Sequence, residues 1–334
     1  MQAVPAQHVE IAPVAETEAV ASDDPDPVDD PAIWAAAPGG SVRFGRQAIH
    51  GFVAATDKTS GLRIYSLTGK HLQLIPGGEL NNVDLKEASV AGRNHVVLAA
   101  SDRERGGISF YAFDPAGIGA SNNVRPFGFV RSDVREAYGL CMGKWDGGLH
   151  AVLIGKRGAV RIYRIETGVT GVTGTETARF EVGARSEGCT VDETAGALYL
   201  AEEDKGLWRY SLRDFSRTLV ELAGQGRLTA GVEGVALIQD GARRYLLVSS
   251  QGDSTFAVWR VDWPAPAFAG RFSVAGSKGI DEVTGSDGVD ARGGAVGSSF
   301  PEGLVVVQDD EDEGGTQNFK LLDWRAIKRG MRLD

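Results

Sequence analysis

Short apolar runs separated by polar and turn residues fill this 334-residue chain, and the same order of runs returns six times. Each unit opens on a polar cluster and a short strand, then gives an apolar run that ends in small or charged residues. A turn and an aromatic-bearing run follow. The apolar runs are HGFVAATD, HVVLAASD, LHAVLIGK, ALYLAEED, RYLLVSSQ and GLVVVQD. The runs after them are GLRIYSL, GISFYAF, AVRIYRI, GLWRYSL, TFAVWRV and NFKLLDW. Their length, their Val, Ile, Leu and aromatic content and the turn residues between them predict β-strands, and no stretch of helical period competes.

The polar openings fall at Asp30, Asn82, Tyr138, Glu187, Glu233 and Asp287. A spacing of roughly 45 to 55 residues suits four-stranded blades. The expected class is all-β, a six-bladed β-propeller with four-stranded antiparallel blades; one or two β-sandwiches would use similar strands. Fourth strands show as HLQLIPG, VRPFGFV, ETARFEVG, TLVELAG and FAGRFSV, but the chain ends soon after the third strand of the sixth unit. An N-terminal strand, such as one within HVEIAPV, is expected to complete that blade and close the ring. This makes one domain over residues 8–328, flanked by residues 1–7 and 329–334.

In an antiparallel blade the start of the first strand and the end of the second lie at the same end of the sheet. Two rings of polar residues therefore face one channel mouth. Asp29, Asp30, Asn81, Asn82, Asp84, Tyr138, Glu187, Glu233 and Asp287 form one; Lys58, Arg103, Lys156, Glu203, Gln251 and Asp309 form the other. Blades one to three supply the cations and blades four to six most of the carboxylates, with Asp29 and Asp30 adjoining across the closure. Carboxylates at this density repel unless a cation neutralises them, and hard oxygen donors beside amides suit several Ca2+ ions better than zinc or copper. Asn82, Asp84, Gln251 and Asp309 belong to that candidate metal set. The facing lysines and arginine suit anionic oxygens. A solvated loop tip explains any one of these charges, but not their segregation by blade.

Composition narrows the picture. An apolar fraction of 42% with 45 Gly against 12 Pro describes a folded, turn-rich chain. The net charge of -10 argues against a nucleic-acid surface. No run approaches the roughly 20 apolar residues that span a bilayer, so no membrane is expected. Met1 to Gln7 lack the pattern of a signal peptide. Cys141 and Cys189 form either one bridge or two buried thiols. Phosphate-loop, HExxH and GxSxG motifs are absent, and neither cysteine has an arginine six residues on, which disfavours nucleotide and thiol-phosphate chemistry. The run DDEDEGG from Asp309 to Gly315 reads equally as a calcium loop of its own or a solvated turn; in a helix–loop–helix calcium site, glutamate would stand where Leu321 does.

The strings DDPAIW, DKTSGLRIYSLTGK, LNNVDL, EAYGL, SEGCTVDE, LYLAEED, SSQGDS and QNFKLLDW, in that order along nearly the whole chain, resemble the β-propeller phytases. The resemblance implies a calcium-dependent phosphomonoesterase acting on myo-inositol hexakisphosphate (phytate), taken up as its calcium complex. It implies that Asp29, Asp30, Glu187, Glu203, Glu233 and Asp287 hold calcium, with Glu16 and Asp26 near the cluster. It implies phosphate contacts from Lys58, Arg103, Tyr138 and Lys156, and Arg157 would make that wall more basic. The expected reaction is in-line attack by a calcium-bridging water, with Glu187 or Glu203 taking its proton and no covalent enzyme intermediate. A secreted or periplasmic location is implied too, and a monomer is the default expectation. Two departures stand out: Gly231 occupies a position where the family often carries an aspartate, and Arg157 one where some members carry an acid. A propeller lactonase or phosphotriesterase and a non-catalytic interaction propeller remain alternatives, but neither gives a reason for the basic trio of Lys58, Arg103 and Lys156.

Overall fold

The computed structural model describes residues 8–119, 121–263, 265–312 and 315–333, without the side chain of Asp312. Six sheets form the six blades, each numbered in chain order. Their innermost strands are Val28–Ala35, Leu80–Val90, Ala137–Trp145, Ser186–Asp192, Val232–Asp240 and Val289–Gly293. Each touches the next around the axis, and the last touches the first, so the ring closes on itself.

The wedges between neighbouring blades hold the core. Residues of one strand point alternately to opposite faces of a sheet. In the second strand of blade one, Phe52 and Ala54 pack toward blade two, while Val53 and Ala55 pack toward blade six. Both faces are buried, so the strand reads as a continuous apolar run. At the first wedge Trp34, Phe52 and Phe113 meet with ring centroids 5.4 to 5.6 Å apart, favourable tilted and edge contacts.

The closure differs from the sequence expectation in one respect. The segment HVEIAPV does not complete blade six as a single strand. His8–Ile11 lies parallel to Ala267–Val274 as a fifth strand on blade five. The outer strand of blade six is Ala15–Glu16, antiparallel to Thr316–Asp323. Pro13 stands between the two stretches and has no N–H for a ladder, which suits the crossing from one blade to the next.

Two further elements escaped the repeat. A hairpin, Val42–Phe44 with Gln47–Ile49, is inserted in blade one. The helix Trp324–Met331 is capped by the Asp323 carboxylate, which accepts from the Arg325 amide, and buries Trp324, Ile327 and Met331 against blades five and six. Eight residues are too few for a helical period to show. The helix runs beyond residue 328, and Leu333 is also buried. Cys141 and Cys189 are bridged, with Cα atoms 5.7 Å apart, joining the innermost strands of blades three and four.

Candidate active site at the channel mouth

One backbone contact recurs and sets the site. The amides of Lys58, Arg103, Lys156, Glu203 and Gln251 donate to the carbonyls of Pro27, Glu79, Glu136, Arg185 and Gly231, over 2.7 to 3.1 Å. Each bond joins the residue after a second strand to the residue before an innermost strand. It therefore carries five side chains to one mouth. There they line a cavity of about 570 Å³ with Asp26, Asp29, Asn81, Tyr138, Arg185, Asp204, Gly231, Glu233, Asp287 and Asp310.

Carboxylates outnumber cations in the lining, and two of the cations are tightly paired. Lys58 Nζ lies 2.7 Å from Asp26, 3.1 Å from Asp29 and 3.4 Å from Asp287. Arg185 Nε lies 2.7 Å from Glu203 Oε1, and its Nη2 donates to the Tyr138 hydroxyl at 2.5 Å. Glu187, beside the cavity, accepts from Asn81 Nδ2 at 2.5 Å. Glu187, Glu203 and Glu233 are all buried and present oxygens within 4.8 Å of one another.

Burial is the main cause of the shifted protonation here. It raises Glu187 and Glu233 well above the usual carboxylate range, and the neighbouring carboxylates add to the effect. Asp287 is pushed up to about 7 by burial and then by Asp29. Tyr138 is raised by burial and by the charges of Glu187 and Glu233, so it keeps its proton. Burial opposes the charge on Lys58, but Asp29, Asp287 and Asp26 outweigh it and raise its pKa.

The donor set fits a hard cation. Asp29 Oδ1, Asn81 Oδ1 and Glu233 Oε2 are buried with no hydrogen-bond donor. Such oxygens are costly to bury unless something positive meets them. Among the described residues no histidine or cysteine lines the cavity, which leaves an all-oxygen set of the kind calcium takes.

The family model described as Phytase matches residues 1–333. The chain belongs to the phytase family. A protein of Bacillus subtilis (strain 168) named 3-phytase is 31% identical over 334 residues, covering 96% of this chain and 85% of that protein. Among solved structures, the major Malassezia sympodialis allergen Mala s 1 superposes with a TM-score of 0.51 at 13% identity, over 84% of this chain and 92% of that one, a likeness of fold alone. A functionally unknown protein from Desulfotomaculum acetoxidans DSM 771 gives 0.46 at 12% identity, over 73% and 71% of the two chains.

In this phytase-family chain the residues expected at the site divide. Asp26, Asp29, Lys58, Arg103, Tyr138, Lys156, Glu203, Glu233, Gln251 and Asp287 line the one cavity, and Glu187 adjoins it. Asp30, Asn82 and Asp84 line instead a second cavity of about 540 Å³ along the channel. Two of them stitch blades together, since Asp30 accepts from the Val83 amide at 3.2 Å and Asp84 from the Met142 amide at 2.7 Å. Arg157 is exposed outside the cavity lining.

Glu16 and Asp309 lie at the ring closure, where Lys320 Nζ is 2.7 Å from Glu16, 3.0 Å from Asp309 and paired with Asp281. The displacement of Asp309 is a matter of register. Asp57 faces Gly61 across blade one as Asp309 faces Asn318 across blade six, so the counterpart of Lys58 is Asp310. One residue of slip turns a strand side chain to the other face. Asp310 reaches the cavity accordingly. Of the acidic run containing it, the Asp312 side chain, Glu313 and Gly314 lie outside the described residues.

Arg185 and Asp204 also line the cavity without having been singled out in the sequence. Each adjoins a recognised position, Arg185 two residues before Glu187 and Asp204 one after Glu203. At Gly231 the backbone is left-handed, with φ of 85°, and a Cβ there would meet Gln251 Oε1 at 3.1 Å. The Gln251 side chain thus takes up the space beside the glycine and donates to Asp287.

Proposed function

We propose that this chain hydrolyses phosphate monoesters of phytate, with calcium held by the carboxylates of the channel mouth. Membership of the phytase family and the likeness to a protein named 3-phytase support the activity. The observation that carries the site assignment is the meeting, in one cavity, of buried oxygens lacking donors with Arg103, Lys156 and the Tyr138 hydroxyl.

Asp29, Glu187, Glu203, Glu233 and Asp287 would hold the ion, with Asp26 and Asp310 at the rim. Calcium bound there supplies Lewis acidity at the phosphoryl group and makes a water more acidic. Arg103 offers a guanidinium whose buried Nε has no acceptor, suited to phosphate oxygens. Lys156, partly exposed and 3.3 Å from Glu136, adds a second positive charge. Together they offset negative charge that grows on the equatorial oxygens during in-line displacement. Tyr138 keeps its hydrogen and orients one oxygen by donating it. A carboxylate of this group, Glu187 or Glu203, would take the proton of the attacking water.

No described helix is long and apolar enough to cross a membrane. A site that gathers this many carboxylates around calcium suits a secreted or periplasmic setting, where free calcium is plentiful.

The test is phosphate release from phytate by the purified chain, first with calcium and then with a chelator. Release with calcium that stops on chelation is expected. Release unaffected by the chelator would end the calcium assignment, and no release under either condition would end the phytase one.

A further inference from the structure

We propose that Arg185 is a positioning residue of this site, holding the Tyr138 hydroxyl and the Glu203 carboxylate in one fixed relation across the boundary of blades three and four. The inference rests on the reading of the site as hydrolytic.

The backbone of Arg185 is pinned at the channel mouth, because its carbonyl accepts the Glu203 amide at 3.1 Å. Its guanidinium makes two contacts from separate nitrogens, Nε to Glu203 Oε1 at 2.7 Å and Nη2 to the Tyr138 oxygen at 2.5 Å. A guanidinium is planar and rigid, so a hydrogen bond to Tyr138 and an ion pair with Glu203 from the one group hold the two partners in relation to each other. The same group lies 5.3 Å from the centre of the Tyr138 ring, as Lys156 Nζ also does.

The direction of the tyrosine contact matters. Its oxygen accepts from Arg185, so its single hydrogen is left free to be donated to a phosphate oxygen. Arg185 therefore holds the phenol while pairing directly with Glu203, one of the group Glu187, Glu203 and Glu233. It also places a positive charge on Glu203, where it competes with any divalent cation that this group takes up.

Two effects of opposite sign follow. Without the guanidinium, Glu203 binds calcium more freely, yet Tyr138 and Glu203 lose their alignment. A residue that served the fold alone would not separate the two.

The experiment compares the wild type with Arg185→Met and Arg185→Lys. It measures kcat and KM on phytate with calcium, calcium affinity of the metal-free proteins by calorimetry, and thermal midpoints. Arg185→Met is expected to lower kcat by about tenfold to a hundredfold, the scale of a misaligned group. KM should move by less than about threefold, the pattern of a contact that matters to the transition state. Calcium binding should tighten. Arg185→Lys should return calcium affinity toward wild type by restoring charge, but leave kcat low because an ammonium does not span both partners.

A kcat for Arg185→Met within about twofold of wild type would overturn the inference, being too small for the alignment effect. Full recovery of kcat in Arg185→Lys, or weaker calcium binding in Arg185→Met, would overturn it as well. If Arg185→Met does not fold, low kcat in a folded Arg185→Lys with normal calcium affinity supports the inference. Failure of the wild type to release phosphate sinks the functional reading instead, and tighter calcium binding by Arg185→Met then still supports the grip on Glu203.

Discussion

The ammonium of Lys58 stands 3.1 Å from the carboxylate of Asp29, and both side chains are nearly sealed from solvent. Sequence order places Lys58 on the basic wall, yet its three contacts are all acidic. It acts as the resident counter-ion of Asp26, Asp29 and Asp287. Lys58→Met should therefore destabilise the metal-free protein by about 3–5 kcal/mol, the usual cost of stranding buried charge. Calcium should restore part of that loss. Urea unfolding in chelator and in calcium is the check, and equal stability of variant and wild type in chelator would rule the counter-ion role out.

Protons and calcium compete for the same oxygens. Asp287 is pushed up to about 7 from an ordinary 3.8, so the folded chain binds a proton there that the unfolded chain releases. Glu187, Glu233 and Asp29 shift in the same direction. A raised folded pKa means that stability is greatest below the unfolded value and declines as pH climbs through the folded one. In chelator, the melting temperature should fall between about pH 4 and pH 7. Calcium displaces those protons, so its stabilising effect should grow over the same range. A metal-free melting temperature that rises toward neutral pH would contradict the account.

At the other end of the charge inventory, Lys320 is fully buried among Glu16, Asp281 and Asp309. These groups tie Ala15–Glu16 to blade six and are absent from the lining of the cavity at the channel mouth. Lys320→Met should cost about 3–5 kcal/mol of stability by leaving the acids without their ammonium. The variant should also gain a calcium-dependent rise in melting temperature larger than that of the wild type. KM for phytate should hold at the wild-type value; a raised KM would show that the closure communicates with the substrate site.

Reducing the Cys141–Cys189 bridge opens a link across 48 residues of sequence. Chain-entropy arguments put its contribution at about 4 kcal/mol. Cys141→Ala with Cys189→Ala should lower the unfolding midpoint while leaving calcium affinity intact. A double variant as stable as the wild type would mean that packing between blades three and four already holds them.

The blades were legible because both faces of the middle strands are buried, so their apolar runs stand out from the turns. The rings of charge were legible for a related reason, since one backbone hydrogen bond repeats from blade to blade. That logic breaks where the repeat does. Blade six shifts its register by one residue against the sequence reading, and only the facing third strand, through Asn318, shows that Asp310 replaces Asp309. Arg185 sits before an innermost strand, a position that carries no charge pattern from blade to blade. The helix is too short to declare a period, and the crossing at Pro13 depends on partners some 250 to 300 residues away. Pairing between cysteines is likewise a fact of neighbouring blades, which no spacing within one blade reveals.

The segment from His8 to Glu16 lies on two blades at once. Blades one to four are each made of contiguous chain, whereas the sheets of blades five and six each take in a strand from the N-terminal segment, which has no partner until those late strands exist. The seam can therefore close only once the last strands are made, and the earliest residues close it. Cutting the chain between Ile11 and Ala15 would remove one of two covalent ties between blades five and six, leaving the stretch 275–288 and the core under the helix to hold that wedge.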